Sequence, residues 1–508
     1  MMNNSNERKK GAILSYLSVI LSTVVQLVYT PLLIRMLGQS EYGLYSLISS
    51  VIGYLTVLDL GFGNAIVVFT AKYRANKEYE KEKKLHGMFL VIFCIIGLIA
   101  GLLGLLLYFN VPLLFGKTMT NTELYKAKIM MLILSFNLAV TFPFSIYSSI
   151  ITAYEKFTFQ KVMSIVNTIL KPLLMIPLLF LGYKSITMTV IITAINVLIL
   201  LSNYLYCRKK LDINIKFMGF DKKLFKTIFS YSFFIFLGVI IDKVNWSVDQ
   251  FVLGAVSGTI AVSLYSVASQ INTLFVNLSS AMSGVLLPKM SKMIAKKASD
   301  KELTNEFIKV GRLQYFIIFL MASGFTLFGK EFIVAWAGND FATSYYIAVI
   351  LILPLCVPLI QNLGISIMQA KNMHKFRSVL LALIAVANIF ISIPLAKAFG
   401  GIGSAIGTSL SLIVGNIVIL NIYYHKKVGI NIIDFWKSII KMTIPMILPI
   451  LAIIILMHFV TLHGYINLIL FGGIYTIIYC LTCYLFVLNE YEKNLVNKVL
   501  IKLHLKRV

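Results

Sequence analysis

Charge is the first thing this chain of 508 residues is short of: 13% of it is charged, where a soluble domain carries about a quarter. Acids are the scarcer sign, 20 Asp plus Glu against 46 Lys plus Arg, for a net charge of +26. Cysteine is also sparse. There are five, and all but Cys207 lie in apolar stretches, so no disulfide framework is expected. Cys480 and Cys483 form a C-x-x-C inside an apolar run without neighbouring ligands, which reads as packing and leaves no metal site. The nucleotide-cradling G-x-x-x-x-G-K-[ST] is missing, as are G-x-S-x-G and H-E-x-x-H, so ATP hydrolysis and the common hydrolase chemistries are not expected.

What the chain does have is hydrophobic length. Hydrophobic residues make up 59% and the mean hydropathy is +0.87, which leaves too little polar surface for three or four soluble domains. A membrane span needs about 20 mostly apolar residues. Runs of that order divide the chain into about fourteen spans, the first from 11 to 37, the seventh from 226 to 254, the eleventh and twelfth from 375 to 398 and 402 to 424, the last from 463 to 488. The expected fold is an all-α integral membrane protein. The first run follows the basic segment Met1 to Lys10 and shows no cleavage signature, so it reads as a retained helix.

Basic residues alternate between the two sides of this array, 37 against 7, with Lys171 and Lys243 left within spans. Because Lys and Arg are retained in the cytoplasm, both termini are expected inside. The positive charge then faces an anionic leaflet, making membrane lipids its partners and nucleic acid an unlikely one. The longest loop on the other side, 110 to 123, is too short for an external catalytic domain, which argues against a membrane glycan polymerase or ligase.

A faint repeat runs through the pattern. Leu37-Gly38 and Gly43-Leu44-Tyr45-Ser46 return as Leu253-Gly254 and Ser263-Leu264-Tyr265-Ser266, Ala153 and Phe159 as Ala370 and Phe376, and Pro177 as Pro394, at offsets near 217. A repeat of six spans keeps its orientation, giving two six-helix lobes about an axis along the membrane normal. The expected division is a cytoplasmic N-terminus (1-10), an N-lobe (11-206), a cytoplasmic linker (207-225), a C-lobe (226-424), spans thirteen and fourteen (436-488) and a basic tail (489-508).

Ionised groups at mid-membrane cost at least about 2.5 to 3.5 kcal/mol on insertion scales, so each needs a partner, a wet cavity or a function. Asp59 precedes Gly61-Phe62-Gly63-Asn64, a poor helix former, so a break is expected there; Asp59 and Asn64 either line a cavity or Asp59 caps the break. Lys171 sits at mid-span before Pro172, where its ammonium would suit a diphosphate or a membrane carboxylate. Asp242, Asn245 and Asp249 share one helical face, with Lys243 about 100° away. At an offset of 216, Asp242 takes the place of Gln26 in the first lobe. These groups form either a polar cavity or a network that holds helices together.

Three segments carry a family resemblance that extends over nearly the whole chain: Leu37-Gly38-Gln39-Ser40-Glu41-Tyr42-Gly43-Leu44-Tyr45, Leu58-Asp59-Leu60-Gly61-Phe62-Gly63-Asn64 and Ala153-Tyr154-Glu155-Lys156. They resemble the Wzx-like polysaccharide flippases of the multidrug/oligosaccharidyl-lipid/polysaccharide exporter superfamily. The resemblance implies alternating-access movement of an undecaprenyl-diphosphate-linked oligosaccharide across a bacterial inner membrane. Other polysaccharide-assembly proteins are then candidate partners, no cofactor is needed, and H+ or Na+ coupling stays open. Lipid II flippases of the same superfamily resemble a pattern with basic residues deep in the first two spans. Here span one has Gln26 at mid-depth, and Arg35 near its end. A cation-coupled drug antiporter of the same fold is the other alternative.

Overall fold

The computed structural model describes residues 2–213, 215, 217, 219–283, 287–371, 373–459 and 464–502, and not every side chain within its helices. Among these residues every regular element is helical, the arrangement that satisfies backbone polar groups within hydrocarbon. Contacts group the chain into two units, Met1–Ser266 and Val267–Val508.

The first unit contains α1 (Met2–Leu37), α2 (Gln39–Leu55), α3 (Phe62–Ala75), α4 (Tyr79–Phe115), α5 (Asn121–Ala153), α6 (Phe157–Phe180), α7 (Ser185–Lys210) and α8 (Lys222–Val256). It ends inside α9 (Gly258–Ser283). In it α4 packs on α5, α5 on α7, and α1 on α6, while α8 packs on α2, α3 and α4. The second unit continues with α10 (Leu287–Ala295), α11 (Asp300–Ala337), α12 (Thr343–Ile360), α13 (Asn362–Ala370) and α14 (His374–Leu412). It closes with α15 (Leu420–Tyr423), flanked by π-helical segments, then α16 (Ile432–Phe459), α17 (Gly464–Thr482) and α18 (Glu490–Lys502). Here α11 is the hub, packing on α12, α16 and α17.

Twelve helical stretches are long and apolar enough to span a membrane among the described residues, against the fourteen expected. Two features account for the difference. One stretch, Phe376–Val428, is interrupted at Gly400 (φ 56, ψ −134), and its halves fold back on each other: Gly407 lies against Ser392 and Gly415 against Ile384. It is therefore a hairpin of two helices, as the two predicted runs require. The other is α8, which occupies the place of the seventh run but has many side chains outside the description; the described stretch Ser247–Val256 is a shorter apolar helix.

Local geometry recurs at the offset on which the repeat reading rests. Phe159 stacks on Tyr206 with ring centroids 3.9 Å apart, and Phe376 stacks on Tyr423 at 3.8 Å. Ile213 N–H donates to Cys207 O and Ile430 N–H to Tyr424 O, each at 3.0 Å. Every one of these positions is displaced by 217 residues. At the first corner the register differs from the sequence alignment. The left-handed counterpart of Gly38 (φ 78) is Gly258 (φ 83), not the helical Gly254, which makes that offset 220. On this register Gln26 corresponds to position 246 rather than 242, and Tyr29 and Tyr45 correspond to Asp249 and Tyr265.

Candidate functional site

The predicted break in the second span is present, and its chemistry is local. Thr56–Asp59 tightens into a 3-10 turn, Leu60 (φ 52) and Gly61 (φ 73) are left-handed, and α3 restarts at Phe62. The Asp59 carboxylate lies beside this restart, 3.5 Å from where a Cβ on Gly63 would stand. An acidic side chain there sits next to the backbone donors orphaned at a helix start. Asn64, the neighbouring candidate, is exposed. Asp59→Ala should therefore lower stability by about 1 kcal/mol. Asp59→Asn, which keeps an acceptor, should preserve both melting temperature and transport. Lost transport in well-folded Asp59→Asn would return this residue to the substrate path.

Lys171 is placed differently. Half-buried on α6, it lines a cavity of about 130 Å³ with Met175, with Tyr29 of α1 and Tyr45 of α2, and with Met188, Ile191 and Ile192 of α7. Among the described residues no carboxylate pairs with it. A cation surrounded by methionine, isoleucine and two phenols is poorly solvated by its neighbours. The cavity is well below the roughly 300–1,000 Å³ typical of sites for drug-sized ligands, so it suits a small anionic group and not a whole glycolipid head. Sequence reasoning singled out Lys171 but not Tyr29 and Tyr45, which line the same cavity. Tyr45 closes the Leu37-to-Tyr45 segment, which was a signal available for it.

The acidic candidates on α8 are only partly described. Asp242, with Asn245 of the same face, lies outside the described side chains. Asp249 is buried and accepts from the Tyr265 hydroxyl at 2.6 Å, and Lys243 reaches α2, 3.7 Å from where a Cβ on Gly53 would stand. Gln26 is half-buried on α1, within hydrogen-bonding contacts of its own.

The other marked segments work as joints. Glu41, in the Leu37-to-Tyr45 segment, is buried and bonded to Lys126 and to Ser185 of α7. Ser40 donates to Glu123 at 2.6 Å, and Thr259 donates to the same carboxylate oxygen at 2.7 Å. Gly43 lies against the Thr259 carbonyl, where a Cβ would collide, which is why glycine stands there. At the basic end the Arg74 guanidinium lies 3.5 Å over the Tyr154 ring, and the Tyr154 hydroxyl donates to Glu82 at 2.8 Å. Burial, then the Glu82 carboxylate, push the Tyr154 phenol above its ordinary range.

The second unit contains a different cavity, an apolar groove of about 400 Å³. Phe275 of α9, Phe325, Phe328 and Phe332 of α11, and Leu468 and Ile469 of α17 line it. Among the described residues no group of His, Cys, Asp and Glu could hold a metal ion.

Twelve helices long and apolar enough to cross a membrane, among the described residues, define a multi-pass membrane protein. The fold is that of the superfamily. A structure of the lipid II flippase MurJ in an inward closed conformation matches with a TM-score of 0.70 at 20% identity, covering 93% of this chain and 98% of that one. A multidrug resistance MATE family transporter, inward-facing, matches at 0.65 and 14% identity, covering 78% and 93%. Residues 9–294 match the family described as polysaccharide biosynthesis protein, and the chain belongs to that family. A Shigella flexneri relative named as an O-antigen transporter is 22% identical over 422 residues, covering 82% of this chain and 97% of the relative. These relatives are transporters and flippases, and this chain is a membrane transporter of polysaccharide biosynthesis, not an enzyme.

Proposed function

We propose that this protein moves an undecaprenyl-diphosphate-linked oligosaccharide across a bacterial inner membrane for surface polysaccharide assembly, by alternating access, with both termini in the cytoplasm. The single observation that carries the reading is Lys171: an in-span cation without a described carboxylate partner, facing a small cavity, in a chain of the polysaccharide family. A diphosphate is shed of water when it enters a membrane and needs positive charge there. The apolar groove of the second unit supplies a surface of the other polarity that a lipid-linked substrate carries. Spans one to six and seven to twelve act as the two halves of the alternating cycle. The drive comes from an H+ or Na+ gradient or from membrane potential acting on the anionic substrate.

The purified chain in vesicles should transfer a polyprenyl-diphosphate saccharide from one leaflet to the other, read by leaflet-selective enzymatic modification of the sugar. A deletion strain should accumulate the same lipid on the cytoplasmic leaflet and lose surface polysaccharide. Normal surface display in such a strain, or efflux of a fluorescent cationic drug without glycolipid transfer, would replace this reading by the antiporter one.

A further inference from the structure

The cavity at Lys171 is the end of something longer. Along α1 the strongly exposed apolar residues Ile13, Leu17, Ile20, Val24 and Val28 follow steps of three and four, as a lipid-facing row does. Ser15, Ser18, Ser22 and Gln26 form a second row that leads to Tyr29, about half a turn away from the first. The same division holds on α6. Val162, Val166, Ile169 and Leu173 are its exposed apolar row, and Gln160, Ser164 and Thr168 form a polar row leading to Lys171 on the opposite face.

The two helices pack together, and both rows rise from the same membrane side. They meet twice: the Ser18 and Ser164 hydroxyls are 3.2 Å apart, and Tyr29 and Lys171 line one cavity. Beside this row the Asn167 Oδ1 atom is buried and has no hydrogen-bond partner among the described residues. From Ser15 to Tyr29 the polar row extends roughly 21 Å along the helix. Hydroxyls and amides both donate and accept, which is the complement of a sugar ring. Lys171 is the only charged residue in 12 to 34 of α1 or 162 to 180 of α6. An acidic sugar brought alongside these stretches would lose its hydration with no second cation within them to replace it.

We propose that the paired polar rows of α1 and α6 form a track for uncharged, hydroxyl-rich sugars, leading to the anionic group at Lys171, so that the transported glycan is neutral over the sugars nearest its diphosphate. The proposal rests on the Lys171 reading above and adds the chemistry of the sugars. It is tested with the full chain in lipid nanodiscs and three probes: a polyprenyl diphosphate, the same lipid carrying a neutral disaccharide, and the same lipid with a uronic acid as one of its sugars.

The neutral disaccharide should tighten binding roughly tenfold over the bare lipid, the worth of one or two hydrogen bonds. The uronic acid should remove that gain. Ser22→Leu and Ser164→Leu should each lose the gain while binding the bare lipid as before. A gain that survives both variants, or a uronic acid bound as tightly as the neutral sugar, overturns the track and leaves the Lys171 reading standing. Failure of the unaltered chain to bind even the bare lipid diphosphate overturns the Lys171 reading and the track with it.

A second measurement does not depend on those variants folding. Ser22→Cys and Ser164→Cys should react with a membrane-impermeant maleimide and be protected by the neutral-sugar lipid, whereas Val24→Cys and Val166→Cys should stay unreactive. Equal reactivity on both faces overturns the proposal.

Discussion

Lys171→Ala should reduce glycolipid transport per folded molecule by roughly ten- to hundredfold, the worth of a hydrogen bond to a charged group, about 1.5–3 kcal/mol. The same substitution should leave the melting temperature unchanged or raised. This pairing of outcomes follows from the site. Lys171 is half-buried among Met175, Ile191 and two tyrosines, and no described carboxylate compensates its desolvation. A buried ammonium without a partner opposes folding, so removing it relieves the folded state while taking the cation from the substrate. Lys171→Arg should retain part of the activity, since the charge survives in a different shape. Transport at the unaltered rate in Lys171→Ala would end its role in binding, and loss of folded protein would assign the residue to structure.

The largest loss of stability is expected at the opposite end of the chain. Arg312 of α11 makes a two-pronged pair with Glu492 of α18, Nε to Oε1 at 2.6 Å and Nη2 to Oε2 at 2.8 Å. Its remaining donors reach Val487 O at 3.1 Å and Ser438 Oγ at 3.2 Å. Glu492 is 2% exposed and also caps its own helix, accepting from Asn489 N–H at 2.9 Å. One guanidinium on α11 thus joins the N-terminal turns of α16 and α18 and the π-helical segment that follows α17. Glu492→Ala strands a buried arginine and should cost about 3–5 kcal/mol, seen as lower protein yield and an earlier thermal transition in detergent. The double variant Arg312→Leu, Glu492→Leu should recover much of that loss, because removing both charges also removes their desolvation. A double variant no better than Glu492→Ala would show that the bonds to Val487 and Ser438, rather than the charge pair, hold the joint.

Much of this architecture is set by the linear pattern. Apolar runs long enough to cross hydrocarbon admit only helices, because lipid offers backbone groups no partners. Residues 59 to 64 announce the break in the second span through Gly61 and Gly63, which cost helix stability wherever they stand. The hairpin at Gly400 is marked in the same way by Gly400 and Gly401 between two runs. The offset near 217 was visible too, although its first corner slipped, since the Leu-Gly pair at 253 imitates the one at 37 while the left-handed glycine is Gly258.

The site was only half legible, and the reason is physical. In a membrane nearly every face of a helix is apolar, so the pattern that tells inside from outside in a soluble protein is weak. Lys171 stands out because it is charged. That it shares a cavity with Tyr29 and Tyr45 depends on how α1, α2 and α6 are rotated and packed. Asp59 reads in the sequence as either a cavity group or a cap, and its place beside Gly63, where α3 restarts, depends on the fold of the break. Glu41 and Lys126 carry no mark in the sequence that joins them, yet they are a part-buried pair, because α2 and α5 bring their ends together across 85 positions. Arg312 and Glu492 meet across 180. Composition and spacing determined that this is a helical membrane protein, and the three marked segments supplied its resemblance to a family. Which of its few polar groups face one another is decided only by packing, since close contact between helices, not their common apolarity, selects the partners.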